Sequence, residues 1–177
     1  LDLVSKVLKW KKNDLIVTTP ISFIASSNCI LKQGANPYFI DIDPQTYTID
    51  PNKIEDKLKK DISFRKKIKA VIAVDYAGHP CDWTSLREIA DRYDLDLVND
   101  NCHALGATYK KDKMYAVKYA DLVVQSYHAV KNITTGEGGS ILSNNSKIID
   151  KIKSLRTHGI IKNDKKSLWH YQMVDLG

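Results

Sequence analysis

The sequence predicts an α/β fold in which helices cover both faces of a mostly parallel β-sheet. Six short apolar runs enriched in β-branched residues recur along the 177 residues. Stretches with helical periodicity separate most of these runs, and the runs are continuous rather than alternating, as in strands that are buried on both faces. Strands that alternate with helices in this way build parallel sheets.

The predicted elements follow one another along the whole chain. The strands are predicted at residues 15–19, 37–42, 70–75, 95–99, 122–125 and 140–142, and the helices at residues 23–32, 51–60, 83–93 and 146–156. Asp50 and Pro51 supply a cap and a first-turn proline, Asp82 precedes the next helix, and Gly34 follows the helix that begins at residue 23. No repeat or flexible linker divides the chain, so we expect one unit.

The composition excludes several classes of protein. The hydrophobic fraction is 43%, and no apolar stretch reaches the roughly eighteen residues of a membrane span. The net charge of +6 comes from 27 Lys and Arg against 21 Asp and Glu. Basic and aromatic residues are not regularly interleaved, so we expect no nucleic-acid partner. Cys29, Cys81 and Cys102 lack the spacing of a zinc or redox motif, which favours a reducing cytoplasm.

Three predicted strands end in polar residues that could form a site. Open parallel sheets bind ligands at the carboxyl ends of their strands, because loops and helix N-termini converge there. These ends carry residues 75–78 (DYAG), 100–103 (DNCH) and 126–131 (SYHAVK). The sequence therefore predicts that carboxylate, imidazole, hydroxyl and amine groups meet at one rim of the sheet.

A lysine amine and an aspartate at such a rim suit an aldehyde cofactor. A desolvated lysine is a good nucleophile and forms a Schiff base with a carbonyl compound. Pyridoxal phosphate (PLP) would use Lys131 for its aldehyde, Asp100 for its pyridinium nitrogen and Ser126 for its phosphate. No metal site is expected.

Spacing alone leaves structural roles open for the same residues. An aspartate after a strand is often a helix cap, and His103 and His128 are compatible with ordinary loop or core positions. Gly136, Gly138 and Gly139 are compatible with a simple turn before the last strand. The motifs of simple dinucleotide sites, P-loops, zinc proteases and serine hydrolases are absent, so these classes are excluded.

Several segments resemble those of one family. Residues 126–139 (SYHAVKNITTGEGG) resemble the active-site lysine segment of the DegT/DnrJ/EryC1/StrS sugar aminotransferases, and residues 100–109 (DNCHALGATY) resemble their aspartate segment. Residues 19–50, 74–82 and 155–160 also look like family segments in family order. The resemblance covers nearly the whole chain and implies the large domain of a fold type I PLP-dependent aminotransferase.

The resemblance also implies a role for each of five residues. Lys131 would bind the cofactor aldehyde and move the proton during catalysis. Asp100 would pair with the pyridine nitrogen, His103 would lie beside the ring, and Ser126 would bind the phosphate. Phe23 would stack on the ring and hold its plane in the orientation that bond cleavage needs.

One position departs from the family pattern. Asn99 stands where many relatives have the Glu of EDAAQ or EDAAH, which changes the polar surroundings of Asp100 but retains Asp100 itself. Lys131 is also retained, which favours amino transfer over the dehydratases of the family. Segments such as residues 74–82 (VDYAGHPCD) look closest to enzymes that aminate C4 of a UDP-linked 4-keto-6-deoxy-N-acetylhexosamine for pseudaminic acid, with glutamate as the donor.

The two ends of the chain resemble internal positions of a longer protein. Residues 1–10 read as the middle of an amphipathic helix, and residues 173–177 lack a terminating pattern. In the family a phosphate loop precedes this region, and an asparagine motif and a small C-terminal domain follow it. We therefore expect residues 1–177 to be a partial PLP-binding large domain that is inactive alone, and the intact protein to be a homodimer.

Two other functions stay open at this point. Lys131 could act directly on a substrate, in a Schiff-base lyase or aldolase without cofactor. The chain could also be a non-catalytic relative that binds a ligand or a regulatory partner.

Overall fold

The computed structural model describes residues 1–162, residue 167 and residues 170–174, so residues 175–177 at the chain end lie outside the described part. Its main sheet has six strands in the order β2-β1-β3-β4-β5-β6. The strands are β1 (Leu15–Thr18), β2 (Asn36–Phe39), β3 (Ile68–Val74), β4 (Asp96–Asp100), β5 (Leu122–Ser126) and β6 (Gly139–Leu142). Strands β1 to β5 are parallel, and β6 is antiparallel to β5.

Seven α-helices accompany the strands in the described residues. They are α1 (Asp2–Val7), α2 (Ala25–Lys32), α3 (Pro51–Lys60), α4 (Ile62–Lys67), α5 (Trp83–Tyr93), α6 (Tyr115–Tyr119) and α7 (Ser146–Arg156). A second sheet pairs β7 (Ile160–Lys162) with β8 (Tyr171–Met173). None of these helices is both long and apolar enough to cross a membrane.

The sheet has a hydrophobic core on each face. Successive side chains of a strand point to opposite faces, so Val71 and Ala73 of β3 belong to one core and Ala70 and Ile72 to the other. Helices α3, α4, α5 and α6 pack on the first face, and α1, α2 and α7 pack on the second. The prediction of an α/β fold with helices on both faces is confirmed.

The helix caps form as the sequence predicts. The Asp50 carboxylate accepts a hydrogen bond of 2.9 Å from the backbone N–H of Asn52, and the Asp82 carboxylate accepts one of 3.3 Å from that of Ser85. Gly34 has a φ of +74°, which glycine adopts without strain, just after the end of α2. Helix α2 begins at Ala25 rather than at residue 23, since the preceding residues form the loop after β1.

The sequence analysis did not predict α4, α6, β7 or β8. Helix α4 has six residues and buries only Phe64, so its apolar signal is weak within a lysine-rich segment. Asp61 lies between α3 and α4 and caps the N-terminus of α4, because its carboxylate accepts a hydrogen bond of 2.9 Å from the backbone N–H of Phe64. The parallel strands β1, β3, β4 and β5 all end at one edge of the sheet, where the following loops gather.

Candidate active site

A cavity of ≈ 910 Å³ lies at the carboxyl edge of the sheet. Its lining includes all five residues that the sequence analysis selected as site residues: Phe23, Asp100, His103, Ser126 and Lys131. Phe23 lies in the loop after β1, Asp100 ends β4, and Ser126 ends β5. Residues that are far apart in the sequence are thus brought together by the order of the strands.

Asp100 is held below the cavity by the neighbouring helix. Asp100 is only 5% exposed, and its Oδ2 accepts a hydrogen bond of 2.9 Å from the hydroxyl of Ser26 in α2. Its Oδ1 accepts a longer one, 3.4 Å, from the backbone N–H of Cys102. Asp100 caps none of the described helices, so its carboxylate remains available to a ligand in the cavity.

Lys131 lies in the loop that joins β5 to β6. The backbone N–H of Lys131 donates to the carbonyl of His128 at 2.9 Å, which closes a tight turn. Tyr127 fixes the base of the loop, because its N–H donates to the Gly138 carbonyl at 2.8 Å and its carbonyl accepts from Thr135 at 2.9 Å. Lys131 is half-buried, and its amine forms no hydrogen bond or ion pair with the part of the chain that the structure describes.

The pKa values of His103 and of two thiols that line the cavity, Cys29 and Cys102, are shifted by burial and by neighbouring charges. Burial lowers the pKa of His103, the positive charge of Lys131 lowers it further, and Asp100 opposes both effects. Burial and then the charge of Asp100 raise the pKa of the Cys102 thiol, and burial raises that of Cys29 to about 11. Both thiols are therefore protonated at neutral pH and are poor nucleophiles.

His128 lies in the β5–β6 loop, one of the two positions that the sequence left open, and it lines the same cavity. Its Nε2 is 3.8 Å from the carboxylate of Glu137, and both side chains are exposed to solvent. This pair connects the two sides of the β5–β6 loop at its solvent face.

Asp75 does not lie at the rim where the sequence analysis placed it. Val74 pairs with Asp100 in the sheet register, so these two side chains share the cavity face, and Asp75 points to the opposite one. There the Asp75 carboxylate is fully buried and accepts hydrogen bonds from the indole of Trp83 at 3.0 Å and from the hydroxyl of Tyr115 at 2.7 Å. Burial raises its pKa despite these donors.

The same alternation explains the departure at Asn99. Asn99 points away from Asp100, and its amide donates to Asp75 at 3.2 Å, as does that of Asn101 at 2.9 Å. A Glu at residue 99 would place a second carboxylate beside Asp75 in the protein interior, where like charges strongly oppose each other. The asparagine is therefore matched to Asp75, and the surroundings of the Asp100 carboxylate are unaffected by it.

Gly138 and Gly139 of the GEGG segment lie where an added Cβ would not fit, and Gly136 has a positive φ. A Cβ at Gly139 would lie 2.6 Å from the Gln125 carbonyl oxygen of β5, and one at Gly138 would lie 2.3 Å from the Thr135 hydroxyl oxygen. Gly136 has a φ of +78°. Gly139 thus allows β6 to approach β5 closely, and Gly136 and Gly138 belong to the turn before that strand, which is the structural role that the sequence left open.

Ser26 and Gln125 also belong to the site, and the sequence analysis missed both. Ser26 and Ile30 are four residues apart in α2, so they lie on the same side of that helix, and both are buried against the sheet. Gln125 lines the cavity, and its amide donates to the Asn101 side chain at 3.2 Å. The spacing of Ser26 and Ile30 could have indicated that Ser26 faces the sheet, but nothing in the sequence indicates its contact with Asp100 or distinguishes Gln125.

The donor set fits PLP as the resemblance implied. An amine, a buried carboxylate, a hydroxyl and an exposed aromatic ring line one cavity, and each has a matching group on that cofactor. Within the described residues, no group of three or more His, Cys, Asp or Glu side chains could hold a metal ion.

The family model for the DegT/DnrJ/EryC1/StrS aminotransferase family matches residues 1–177 of the chain. The chain belongs to this aminotransferase family. Among curated DegT/DnrJ/EryC1/StrS relatives, it is 43% identical over 163 residues to a Campylobacter jejuni protein named UDP-4-amino-4,6-dideoxy-N-acetyl-beta-L-altrosamine transaminase, covering 92% of this chain and 41% of that protein. It is 41% identical over 175 residues to an uncharacterized Methanocaldococcus jannaschii protein, covering 96% of this chain and 43% of the relative.

Solved structures of similar proteins have the same fold. Helicobacter pylori PseC, described as an aminotransferase involved in the biosynthesis of pseudoaminic acid, matches with a TM-score of 0.83 and 31% identity, over 99% of this chain and 45% of PseC. The PMP form of the putative sugar aminotransferase Spr1654 from Streptococcus pneumoniae matches with a TM-score of 0.84 and 28% identity, over 99% of this chain and 48% of Spr1654. The chain thus spans less than half the length of these relatives.

Proposed function

We propose that the protein is a PLP-dependent aminotransferase that transfers an amino group from glutamate to a nucleotide-linked 4-keto-6-deoxy sugar. The observation that carries this proposal is the cavity at the sheet edge, where the Lys131 amine, the Asp100 carboxylate and the Ser126 hydroxyl are presented together. Residues 1–177 would then be part of the cofactor-binding large domain of a longer protein.

Three of the residues would hold the cofactor through complementary groups. Lys131 would bind its aldehyde, Asp100 its ring nitrogen and Ser126 its phosphate. The Ser126 Oγ accepts the backbone N–H of His128 at 3.4 Å, so its own proton is free to be donated to a phosphate oxygen. When it is bound, PLP supplies an electron sink that stabilises negative charge at the substrate carbon.

Phe23 and His103 would bound the cofactor ring. Phe23 is 72% exposed, and its ring lies at the cavity, so it offers an apolar face that a flat heterocycle can cover. His103 is neutral at pH 7 because its pKa is lowered, so it can donate or accept one hydrogen bond without adding charge beside the ring. The Lys131 Nζ would carry the proton between cofactor and substrate carbons.

The proposed sugar substrate rests on the relatives and on the size of the cavity. The Campylobacter jejuni relative is named for a UDP-linked amino sugar, and the Helicobacter pylori one is described for pseudoaminic acid biosynthesis. The volume of ≈ 910 Å³ lies at the upper end of ligand pockets, which measure about 300–1,000 Å³, and suits a cofactor together with a second ligand. A UDP-linked 4-keto-6-deoxy-N-acetylhexosamine is therefore the substrate that we propose.

We further propose a homodimer in the cytoplasm. The cavity lining includes two exposed apolar side chains that the proposed cofactor site does not use, Ile24 at 62% and Val130 at 78%, which a second subunit would cover. All three cysteines are free thiols, which supports a reducing compartment.

The proposal is tested by replacing the lysine in the intact protein. The wild-type protein, loaded with PLP and given glutamate and the keto sugar, should form an amino sugar that mass spectrometry detects. Lys131→Ala should abolish this product and the visible absorbance of the lysine-bound cofactor, whereas Lys113→Ala, an exposed lysine outside the cavity, should change neither. Full turnover by Lys131→Ala would overturn the proposal.

Borohydride reduction separates the other two functions from this one. Reduction of the wild-type protein should leave a pyridoxyl group on the peptide that contains Lys131. A sugar or other substrate on that peptide would indicate a cofactor-independent lyase or aldolase. Bound PLP without amine transfer from glutamate would indicate a non-catalytic ligand-binding relative.

A further inference from the structure

Ser26 contacts Asp100 from the second face of the sheet, and the proposed function assigns it no role. It lies in the first turn of α2 and is 1% exposed. Its Oγ is 2.9 Å from the Oδ2 of Asp100 and 2.7 Å from the Oγ of Ser22, which lines the cavity. A chain of two hydroxyls therefore connects the rim of the cavity to the buried carboxylate.

The direction of this chain follows from the acceptor at its end. An ionised carboxylate accepts hydrogen bonds and donates none, so the Ser26 hydroxyl gives its one proton to Asp100. The Ser26 oxygen then accepts, and the Ser22 hydroxyl donates to it. Both protons point toward Asp100, so the pair forms an ordered donor chain instead of two independent surface hydroxyls.

This contact is the main restraint on the Asp100 side chain. The other carboxylate oxygen accepts a longer contact of 3.4 Å from the backbone N–H of Cys102, which is near the limit of a hydrogen bond, and the Cys102 thiol is a weak donor to the same carboxylate. Asp100 lies at the end of β4, and Ser26 comes from α2, 74 residues away in the sequence. Helix α2 also follows directly from the loop that carries Phe23, so one short segment sets the positions of the aromatic ring and of the carboxylate.

We propose that Ser26 is a positioning residue, which together with Ser22 orients the Asp100 carboxylate toward the ring nitrogen of the cofactor. This inference rests on the proposed function, because it needs a nitrogen heterocycle in the cavity. Loss of the Ser26 hydroxyl removes a hydrogen bond to the Asp100 carboxylate and leaves that carboxylate free to rotate. The affinity for PLP should therefore fall about tenfold or more.

The test uses the intact protein and PLP labelled with ¹⁵N in its ring. Ser26→Ala should weaken PLP binding about tenfold and move the ring ¹⁵N resonance, because the hydrogen bond between Asp100 and that nitrogen changes. Ser26→Thr retains the hydroxyl and should keep the wild-type resonance. Ser27→Ala is the matched control, since the Ser27 hydroxyl donates to the Ile24 carbonyl at 3.0 Å and Ser27 does not line the cavity. It should behave as wild type.

Each result decides the inference. An unchanged resonance in Ser26→Ala, or a resonance in Ser26→Thr that moves as it does in Ser26→Ala, overturns it. If circular dichroism shows that Ser26→Ala is unfolded, Ser22→Ala is measured in its place. This change weakens the same pair of hydroxyls from the cavity rim, so it should move the ¹⁵N resonance in the same direction by a smaller amount. No movement in Ser22→Ala overturns the inference. A wild-type protein that binds no PLP contradicts the proposed function instead, so the two failures are distinguishable.

Discussion

Replacement of Gly139 by Ala should separate β6 from β5 at the candidate site. Gly139 pairs with Ser126 in the antiparallel register, next to the pair of Gln125 and Ser140. An added Cβ would lie 2.6 Å from the Gln125 carbonyl oxygen, whereas ordinary contacts begin at 3.4 Å. The difference requires a local displacement of about 0.8 Å, because backbone atoms on both sides leave no flexible side chain to give way.

The expected cost follows from that displacement. A ladder hydrogen bond of about 2.9 Å that lengthens to about 3.7 Å is effectively lost, which costs about 1 kcal/mol. Steric overpacking adds about 1–2 kcal/mol. The free energy of unfolding should therefore fall by about 2–3 kcal/mol. Affinity for PLP should fall as well, since the displaced pair carries Ser126.

Denaturant unfolding of the intact protein measures this change. Gly136→Asn is the control, because residue 136 has a φ of +78° with nothing within 4 Å of an added Cβ, and asparagine tolerates that conformation better than other side chains. The control should stay within about 0.5 kcal/mol of wild type. A Gly139→Ala protein that is equally stable would refute the close approach of the two strands.

Three further predictions concern charge and completeness. Burial and then the charge of Asp121 raise the pKa of Asp96 to about 6, above its usual value of about 3.9 in unfolded chains. The contribution of Asp96 to the free energy of unfolding is therefore present below about pH 4 and is lost as the pH rises through about 6. Asp96→Asn should thus unfold at a higher denaturant concentration than wild type at pH 8 and at nearly the same one at pH 4; an equal difference at both values would contradict this cause. Asn99→Asp should cost about 2 kcal/mol or more at pH 8, because it removes a donor to Asp75 and adds a like charge, and acid should recover part of the loss; full stability at pH 8 would count against the Asp75 network. Residues 1–177 alone should show no amine transfer from glutamate in the product assay, and measurable transfer would show that the site is complete without further chain.

The sequence predicted the layers of the fold well because burial on both faces leaves continuous apolar runs. All six strands of the main sheet and the four long helices lie within a few residues of their predicted positions. The missed helices α4 and α6 are six and five residues long and the missed strands β7 and β8 three each, so their periodicity is too short to detect. Cap residues such as Asp50 and Asp82 were readable because their hydrogen bonds are local.

The candidate site was also predicted in part from the sequence and decided in part by the tertiary structure. The residue types and the strand ends that carry Asp100, Ser126 and Lys131 were evident from the sequence, since the carboxyl ends of parallel strands share one edge. Which of the two strand-end aspartates faces the cavity was decided by the register that places Asp100 beside Val74 and turns Asp75 into the opposite core. The contact of Ser26 with Asp100 was likewise decided by the packing of α2 on the sheet, because no local pattern encodes a hydrogen bond between residues 74 positions apart.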